Sequence, residues 1–465
     1  MQIPVLNGTY TDGSADFRTS YPVNLVPVPK EQGISNGYLR PADGIIEDGI
    51  GSGTDRGGIN WNGACYRVMG EKLVRIDSLG EIVELGSLPG FDRVSFDYSF
   101  DRLAIAAGGR LFYWNGVLTE VTDGDLGLVL DMLWVDGYFM TTDGEFLVVT
   151  ELNDPLEVNP LKYGSSEADP DPIKGIIKIH GEVYAMNRYT IEVFDNVGGE
   201  NFPFQRIDGA MIQKGIIGTH CATTLNGALA FLGSGRNEAP AVYIGGNGAA
   251  QKISTREVDQ VLLQYTEDQL SKALLETRVD KGHQHLLVHL PDRTMVFDVA
   301  ATSAMEVPVW FTLTSTADGF SVYRAQNLVW CYDRWLCGDP LSSKIGHLTD
   351  AVSSHYGDVV RWEFGTTILY NEGRGAIVHQ LELVCLTGRV ALGSDPRISS
   401  SYSVDGETWS QDKFIRAGTI GDRAKRLVWL QQGAMRNWRI QRFMGTSDAH
   451  ISVARLEAQV EPLAY

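Results

Sequence analysis

A short apolar strand, a tight glycine turn and a second apolar strand recur from about Gly57 to Thr349. One pass runs through Ala64–Val68, a turn at Gly70-Glu71, Lys72–Ile76, a turn at Leu79-Gly80, and Glu81–Leu85. The next runs through Arg102–Ala107, Gly108-Gly109, Arg110–Trp114, Asn115-Gly116 and Val117–Val121. A single small sheet of this kind cannot bury both of its faces. Several of them stacked radially about one axis can, and that arrangement is a β-propeller. Turn dipeptides at Asn62-Gly63, Asn115-Gly116, Asp123-Gly124, Asp136-Gly137, Asp143-Gly144, Asn226-Gly227, Asn247-Gly248 and Asp318-Gly319 favour the primed turns whose twist matches paired strands. Candidate blades begin near Gly58, Ser95, Asp131, Ile173, Thr219, Thr277 and Tyr323. Their spacing, on the order of 40–60 residues, gives six or seven blades, with seven favoured.

The rest of the chain divides around that repeat. Residues 1–56 carry Pro22, Pro27, Pro29 and Pro41 with turns at Asp43-Gly44 and Asp48-Gly49, and read as an extended arm packed on the propeller and able to supply a closing strand. The propeller occupies 57–355. Within it, Ser165–Pro172 is an acidic, proline-rich loop, and the spacing of Val258, Leu262, Tyr265, Leu270 and Leu274 turns helical. This predicts one short helix, or two, inserted near 256–278, with Thr266-x-x-Gln269 capping a helix that begins at Glu267. From 356 to 465 the strands lengthen and the repeat stops. Ile377–Cys385 and Ala449–Ala458 alternate cleanly, and Ser401–Trp409 reads as a hairpin turning at Asp405-Gly406. The expectation is an all-β chain, a propeller followed by a C-terminal β-sandwich.

Composition narrows the classes of function. With 465 residues and 43% hydrophobic content there is enough material for large cores, and 51 glycines suit many tight turns. The formal net charge is -19, which disfavours gripping a phosphate backbone, since such binding comes from Lys and Arg displacing counterions. An acidic wall would instead let DNA pass without sticking. No sequence-specific nucleic-acid binding is expected. The five cysteines, Cys65, Cys221, Cys331, Cys337 and Cys385, lack zinc spacing and read as buried reduced thiols of a protein made in a cytoplasm. No stretch approaches ~18 uninterrupted apolar residues, so stable membrane insertion is not expected. Met1–Leu6 shows no basic leader or apolar core of a signal peptide.

Motifs that carry chemistry are weak. His283, His285 and His289 share one face of a strand, as three zinc ligands would, but 285 and 289 lie roughly 13 Å apart along it, too far for one ion. No metal, cofactor or catalytic residue is assigned. Gly49-Ile-Gly51-Ser-Gly53 lacks the lysine and helix of a nucleotide loop. Gly233-Ser-Gly235 lacks a nucleophile elbow, and Asp123-Gly-Asp125 lacks the further ligands of a calcium loop. Ser403–Trp409 is one residue short of the Asp-box hairpin of sialidase propellers, and no second copy is found. The most uneven charge lies between Lys413 and Arg442, where eight basic residues face Asp422 alone. Within it, Arg423, Lys425, Arg426, Arg436, Arg439 and Arg442 form a candidate docking surface for an acidic partner or for the next subunit.

A family resemblance runs through short strings in order. They are Tyr21-Pro-Val-Asn24, Gly37-Tyr-Leu-Arg40, Tyr66-Arg-Val68, Gln213-Lys-Gly-Ile-Ile-Gly-Thr219, Leu275-Glu-Thr277, His285-Leu-Leu-Val-His-Leu-Pro291, Val296-Phe-Asp298 and Cys337-Gly-Asp339. Across about three hundred residues the chain resembles the packaged DNA stabilisation proteins, or tail hub proteins, of short-tailed lambdoid phages; the C-terminal third matches loosely. The resemblance implies a structural, non-enzymatic virion protein that assembles in the host cytoplasm. It implies a homo-oligomer, a hexameric ring, that closes the head-to-tail channel after packaging and prevents DNA leakage. It also implies contacts with the portal-adaptor protein, the tail needle and a tailspike or tail fibre, with DNA passing through the ring. The competing readings are a phage-associated propeller glycosidase, which needs paired carboxylates at one propeller mouth, and a protein-binding propeller of cellular origin.

Overall fold

The computed structural model describes residues 1–11, 16–30, 34–152 and 154–463. Seven sheets, six of them contiguous in sequence, follow one another between Asp55 and Thr349. Their first strands are Asp55–Trp61, Ser95–Tyr98, Asp131–Val135, Ile173–Ile179, the interrupted pair Gly215–Ile216 and Ala222–Leu225, Leu274–Asp280, and Gln326–Cys331. These innermost strands touch their neighbours in sequence order, and Gln326–Cys331 touches Asp55–Trp61, closing a ring. The sheets are numbered below as blades one to seven.

Alternation along each strand is what lets a blade bury both faces. In blade two, Leu103, Ile105 and Ala107 pack against blade one, while Ala104 and Ala106 pack against blade three. In blade three, Phe139 turns toward blade two and Met140 toward blade four. Five of the inner hairpins turn on a residue with positive φ followed by glycine: Asn62-Gly63, Asp136-Gly137, His180-Gly181, Asn226-Gly227 and Lys281-Gly282. The two that lack Asn or Asp, at His180 and Lys281, carry no recognisable turn signal in the sequence.

Blade seven joins the two ends of the propeller. Its outer strand is Gly44–Ile50, antiparallel to Lys344–Thr349 with Ile45 opposite Leu348. The chain then crosses to blade one through Gly51-Ser-Gly53. A Cβ at Gly51 would lie 2.2 Å from Met69 Sδ, so this glycine run serves a close crossing.

Residues 1–56, read from sequence as one arm on the propeller, divide between both halves of the protein. Only Gly44–Ile50 and the start of blade one belong to the propeller sheets. Leu25–Pro29, Gly37–Pro41 and Gln2–Ile3 join the C-terminal strands Ser452–Pro462, Ala376–Leu386 and Leu427–Leu430 in one sheet. The facing sheet holds Arg361–Gly365, Trp438–Thr446, Arg397–Ser403 and Lys413–Arg416. Ile3, Leu25 and Leu39 pack with Phe364, Trp429 and Phe443 in the core between them, which is a β-sandwich.

Val23 welds the halves together. Its N–H donates to Glu363 O (2.8 Å) and its carbonyl accepts from Glu363 N (3.1 Å), on the sandwich side. On the other side, Thr312 N of blade six donates to Pro22 O and Asn24 N donates to Thr312 O. Asn24, at φ 51°, then spans both with its side chain, donating to Thr314 O and Arg361 O and accepting from Thr314 N. The Tyr21–Asn24 string is thus a fold determinant.

The helical stretch forms two helices, α1 (Arg256–Leu262) and α2 (Glu267–Ser271), and Thr266 and Gln269 make the expected reciprocal cap on α2. A third helix, α3 (Val299–Met305), capped by Asp298, sits between the outer strands of blade six. No helix among the described residues is long and apolar enough to cross a membrane.

Candidate functional site

The innermost strands leave their inner edges unpaired, and unpaired backbone N–H groups facing a cavity need acceptors. Carboxylates supply them from blade to blade. Asp97 of blade two accepts from Trp134 N of blade three (2.6 Å). Asp131 of blade three accepts from Ile176 N of blade four (2.9 Å) and from Met132 N. Glu276 of blade six accepts from Asn327 N (3.0 Å) and Leu328 N (2.5 Å) of blade seven. Asp55 of blade one accepts from the Asn327 side chain of blade seven (2.6 Å). The central cavity, about 540 Å³, is lined by Asp97, Asp131 and Glu276 together with Arg93, Lys178 and His220. Burial raises the Asp131 carboxyl to about 6 despite the backbone donors, and lowers the His220 imidazole to about 4, with Arg93 adding to the effect.

Paired carboxylates near a propeller mouth would suit glycoside hydrolysis. Here each named carboxylate is engaged by the backbone or amide of its neighbour, which fits a staple rather than an acid–base pair. The sequence offered one faint signal for these staples: an Asp or Glu at the first or third position of the blade's opening strand.

The candidate basic surface separates into three groups. Arg423, Lys425 and Arg436 are exposed. Arg426 is exposed too, but it forms a forked pair with Glu382, at 2.7 and 2.5 Å. Arg442 is half-buried over the Trp409 ring, 4.0 Å from its centroid. Arg439 departs from the expectation. It is wholly buried, donates to Gln441 Oε1 and Gln432 O, and lies 3.8 Å from the centroid of Tyr402. Burial pushes its guanidinium down to about 10. A residue on the inward face of Trp438–Thr446 cannot dock a partner, and charge density along the sequence does not reveal which face a residue takes.

Asp405 Oδ1 accepts from Glu407 N (3.0 Å) and Thr408 N (2.8 Å), so the Asp-box-like string is a closed turn. The histidines part company. His283 Nδ1 lies 2.5 Å from Asp298 Oδ2, whereas His289 lies 2.8 Å from both Thr294 Oγ1 and Glu276 Oε1. All five cysteines are free thiols, and burial pushes Cys337 up to about 12.

Comparison with known proteins matches both halves. The family described as bacteriophage P22 Gp10, beta-propeller, matches residues 1–353, and that described as bacteriophage P22 Gp10, beta-sandwich, matches residues 361–461. The tail hub protein gp10 of Salmonella phage P22 is 30% identical over 459 residues, covering 94% of each chain. Among solved structures, the Pan2 WD40 domain of Neurospora crassa overlaps at a TM-score of 0.42 with 10% identity, covering 64% of this chain and 89% of its own. The computationally designed Ika8 protein overlaps at 0.40 with 14% identity, covering 71% of this chain and 99% of its own. Both overlaps are loose. The two family matches and the full-length relative place this chain in the bacteriophage P22 Gp10 family, whose two domains, a β-propeller and a β-sandwich, it carries in that order.

Proposed function

We propose that this protein is a tail hub that closes the head-to-tail channel once the genome is packaged and so prevents DNA leakage. Its place is the virion tail, as for its relative. In this reading it forms a hexameric ring, joins the portal-adaptor complex to the tail needle, and carries tailspikes or fibres. The observation that carries the reading is the match to a tail hub protein over 94% of both chains.

Physical features support it. A ring of sheets stapled blade to blade by carboxylates is a stiff scaffold. Contacts that are modest individually hold against internal pressure when repeated around a ring, because each bound copy raises the effective concentration of the next contact. A net charge of -19 suits a wall past which DNA slides. Arg423, Lys425 and Arg436, exposed on an otherwise acidic chain, are the part of the basic strip available to an acidic neighbour. The role needs no chemistry, and the carboxylates of the propeller's central cavity serve the fold.

Deletion of the gene tests the proposal. Heads are expected to fill and then lose their DNA, and particles lacking this protein that keep their genomes would contradict it.

A further inference from the structure

Blade six carries a cluster that its role as a sheet does not require. His283 and His285 alternate onto one face of the strand His283–His289, and Asp298 is the direct cross-strand partner of His285. Their ring centroids are 5.7 Å apart. His283 Nδ1 stands 2.5 Å from Asp298 Oδ2. His285 Nε2 stands 3.4 Å from the same oxygen, is buried, and makes no hydrogen bond. One ligand atom from each of the three residues lies within 4.8 Å of the others.

We propose that His283, His285 and Asp298 bind a divalent transition-metal ion of the zinc class. Two imidazole nitrogens and one carboxylate oxygen are the donor set such ions prefer, and hard calcium or magnesium would not choose it. Nitrogen and oxygen ligands about 2.0–2.2 Å from a tetrahedral ion lie roughly 3.3–3.6 Å from one another, the separation already held by His285 and Asp298. The carboxylate is oriented in advance: Asp298 Oδ1 accepts from Ala301 N at 3.0 Å, which leaves Oδ2 facing the two histidines. His283 would present Nδ1 to the ion as the neutral Nε2–H tautomer, the ion replacing its hydrogen bond to Asp298. The side chain of His283 is 14% exposed, which gives the ion a way in from solvent. Arg278, the cross-strand partner of His285, is held by Asp43 and Asp280 and so offers little net repulsion.

The cluster was out of reach of sequence spacing because its third ligand is Asp298, on the neighbouring strand, and not His289. The site's position suggests its use. Asp298 caps α3, so an ion here would tie the middle hairpin of blade six to that helix.

Titration with Co²⁺ and Zn²⁺ of the untagged full chain, stripped with chelator, tests this. The expected result is one ion per chain at micromolar affinity or better, with visible Co²⁺ absorption of tetrahedral intensity and a melting temperature that rises with Zn²⁺. His283→Ala, at the rim, should weaken binding by about tenfold or more while the chain still folds, and His289→Ala should leave the stoichiometry unchanged. Absence of a stoichiometric ion on the folded wild-type chain would overturn the proposal, as would a His283→Ala variant that binds like wild type.

Discussion

Arg67 grips both carboxylate oxygens of Asp55 inside the propeller, Nε to Oδ1 at 2.7 Å and Nη2 to Oδ2 at 2.8 Å, with neither side chain exposed by more than 1%. The pair joins the two inner strands of blade one. It also reaches across the ring seam, since Arg67 Nη2 donates to Asn327 O (2.9 Å) and Asn327 Nδ2 donates to Asp55 Oδ2 (2.6 Å). Blades one and seven are therefore latched by one buried ion pair and one amide.

Breaking that pair from either side leaves an uncompensated buried charge. Arg67→Ala and Asp55→Ala are each expected to cost about 3–5 kcal/mol in denaturant unfolding. The double variant should cost clearly less than the sum of the two, because it removes both charges. Additive losses would mean that the two groups do not depend on each other.

Gly338 lies against the same latch from blade seven. A Cβ there would fall 2.1 Å from Asp55 Cγ, and Asp55 cannot swing away while Arg67 holds it. Gly338→Ala is expected to destabilise by about 1–3 kcal/mol through overpacking. In an Asp55→Ala background the penalty should shrink, which thermal unfolding of the four combinations would measure.

The two halves of the protein draw on different parts of the N-terminal segment. Removal of residues 1–41 takes Ile3, Leu25 and Leu39 from the sandwich core and Val26 alone from the core between blades six and seven, but keeps the propeller's closing strand, Gly44–Ile50. Limited proteolysis is expected to digest the sandwich and spare the propeller. Removal of 1–50 also exposes the edge of Lys344–Thr349, and both halves should then be cleaved.

Burial pushes the His355 imidazole down to about 3, and the nearby Arg324 adds to the effect. Its folded-state value is thus below its unfolded one, so the unfolded chain takes up the proton first. Stability attributable to this group is complete above about pH 6.5 and falls by roughly 1.4 kcal/mol per unit as pH drops from there toward 3. Ser315 Oγ lies 2.7 Å from His355 Nδ1, and His355→Gln retains a polar partner for it. The difference in stability between wild type and this variant should narrow steadily from pH 6.5 to 4; a constant difference would refute the assignment.

Charge reversal separates docking from folding in the basic strip. Arg423→Glu, Lys425→Glu and Arg436→Glu together are expected to leave the melting temperature nearly unchanged, because all three side chains are exposed. They should reduce incorporation into tails, read as infectious particles per full head. Arg439→Glu should instead unfold the sandwich, since it places a buried acid against Gln441 Oε1 and Gln432 O, both acceptors that now receive from the guanidinium.

Local physics made much of this protein legible in its sequence. Period-two apolar runs and turn dipeptides mark where sheets begin: Ser95, Asp131 and Ile173 open their blades at the residues the spacing predicts. The Thr266 and Gln269 cap is equally local, because its two partners sit three residues apart. What the sequence left open are contacts between residues far apart along the chain. The pairing of Gly44–Ile50 with Lys344–Thr349, the division of the first 56 residues between two domains, and the meeting of Asp298 with two histidines depend on how finished sheets pack. Arg439 shows the same limit on a single strand, where a pleat directs alternate side chains to opposite faces and only the neighbouring sheet decides which face is inside.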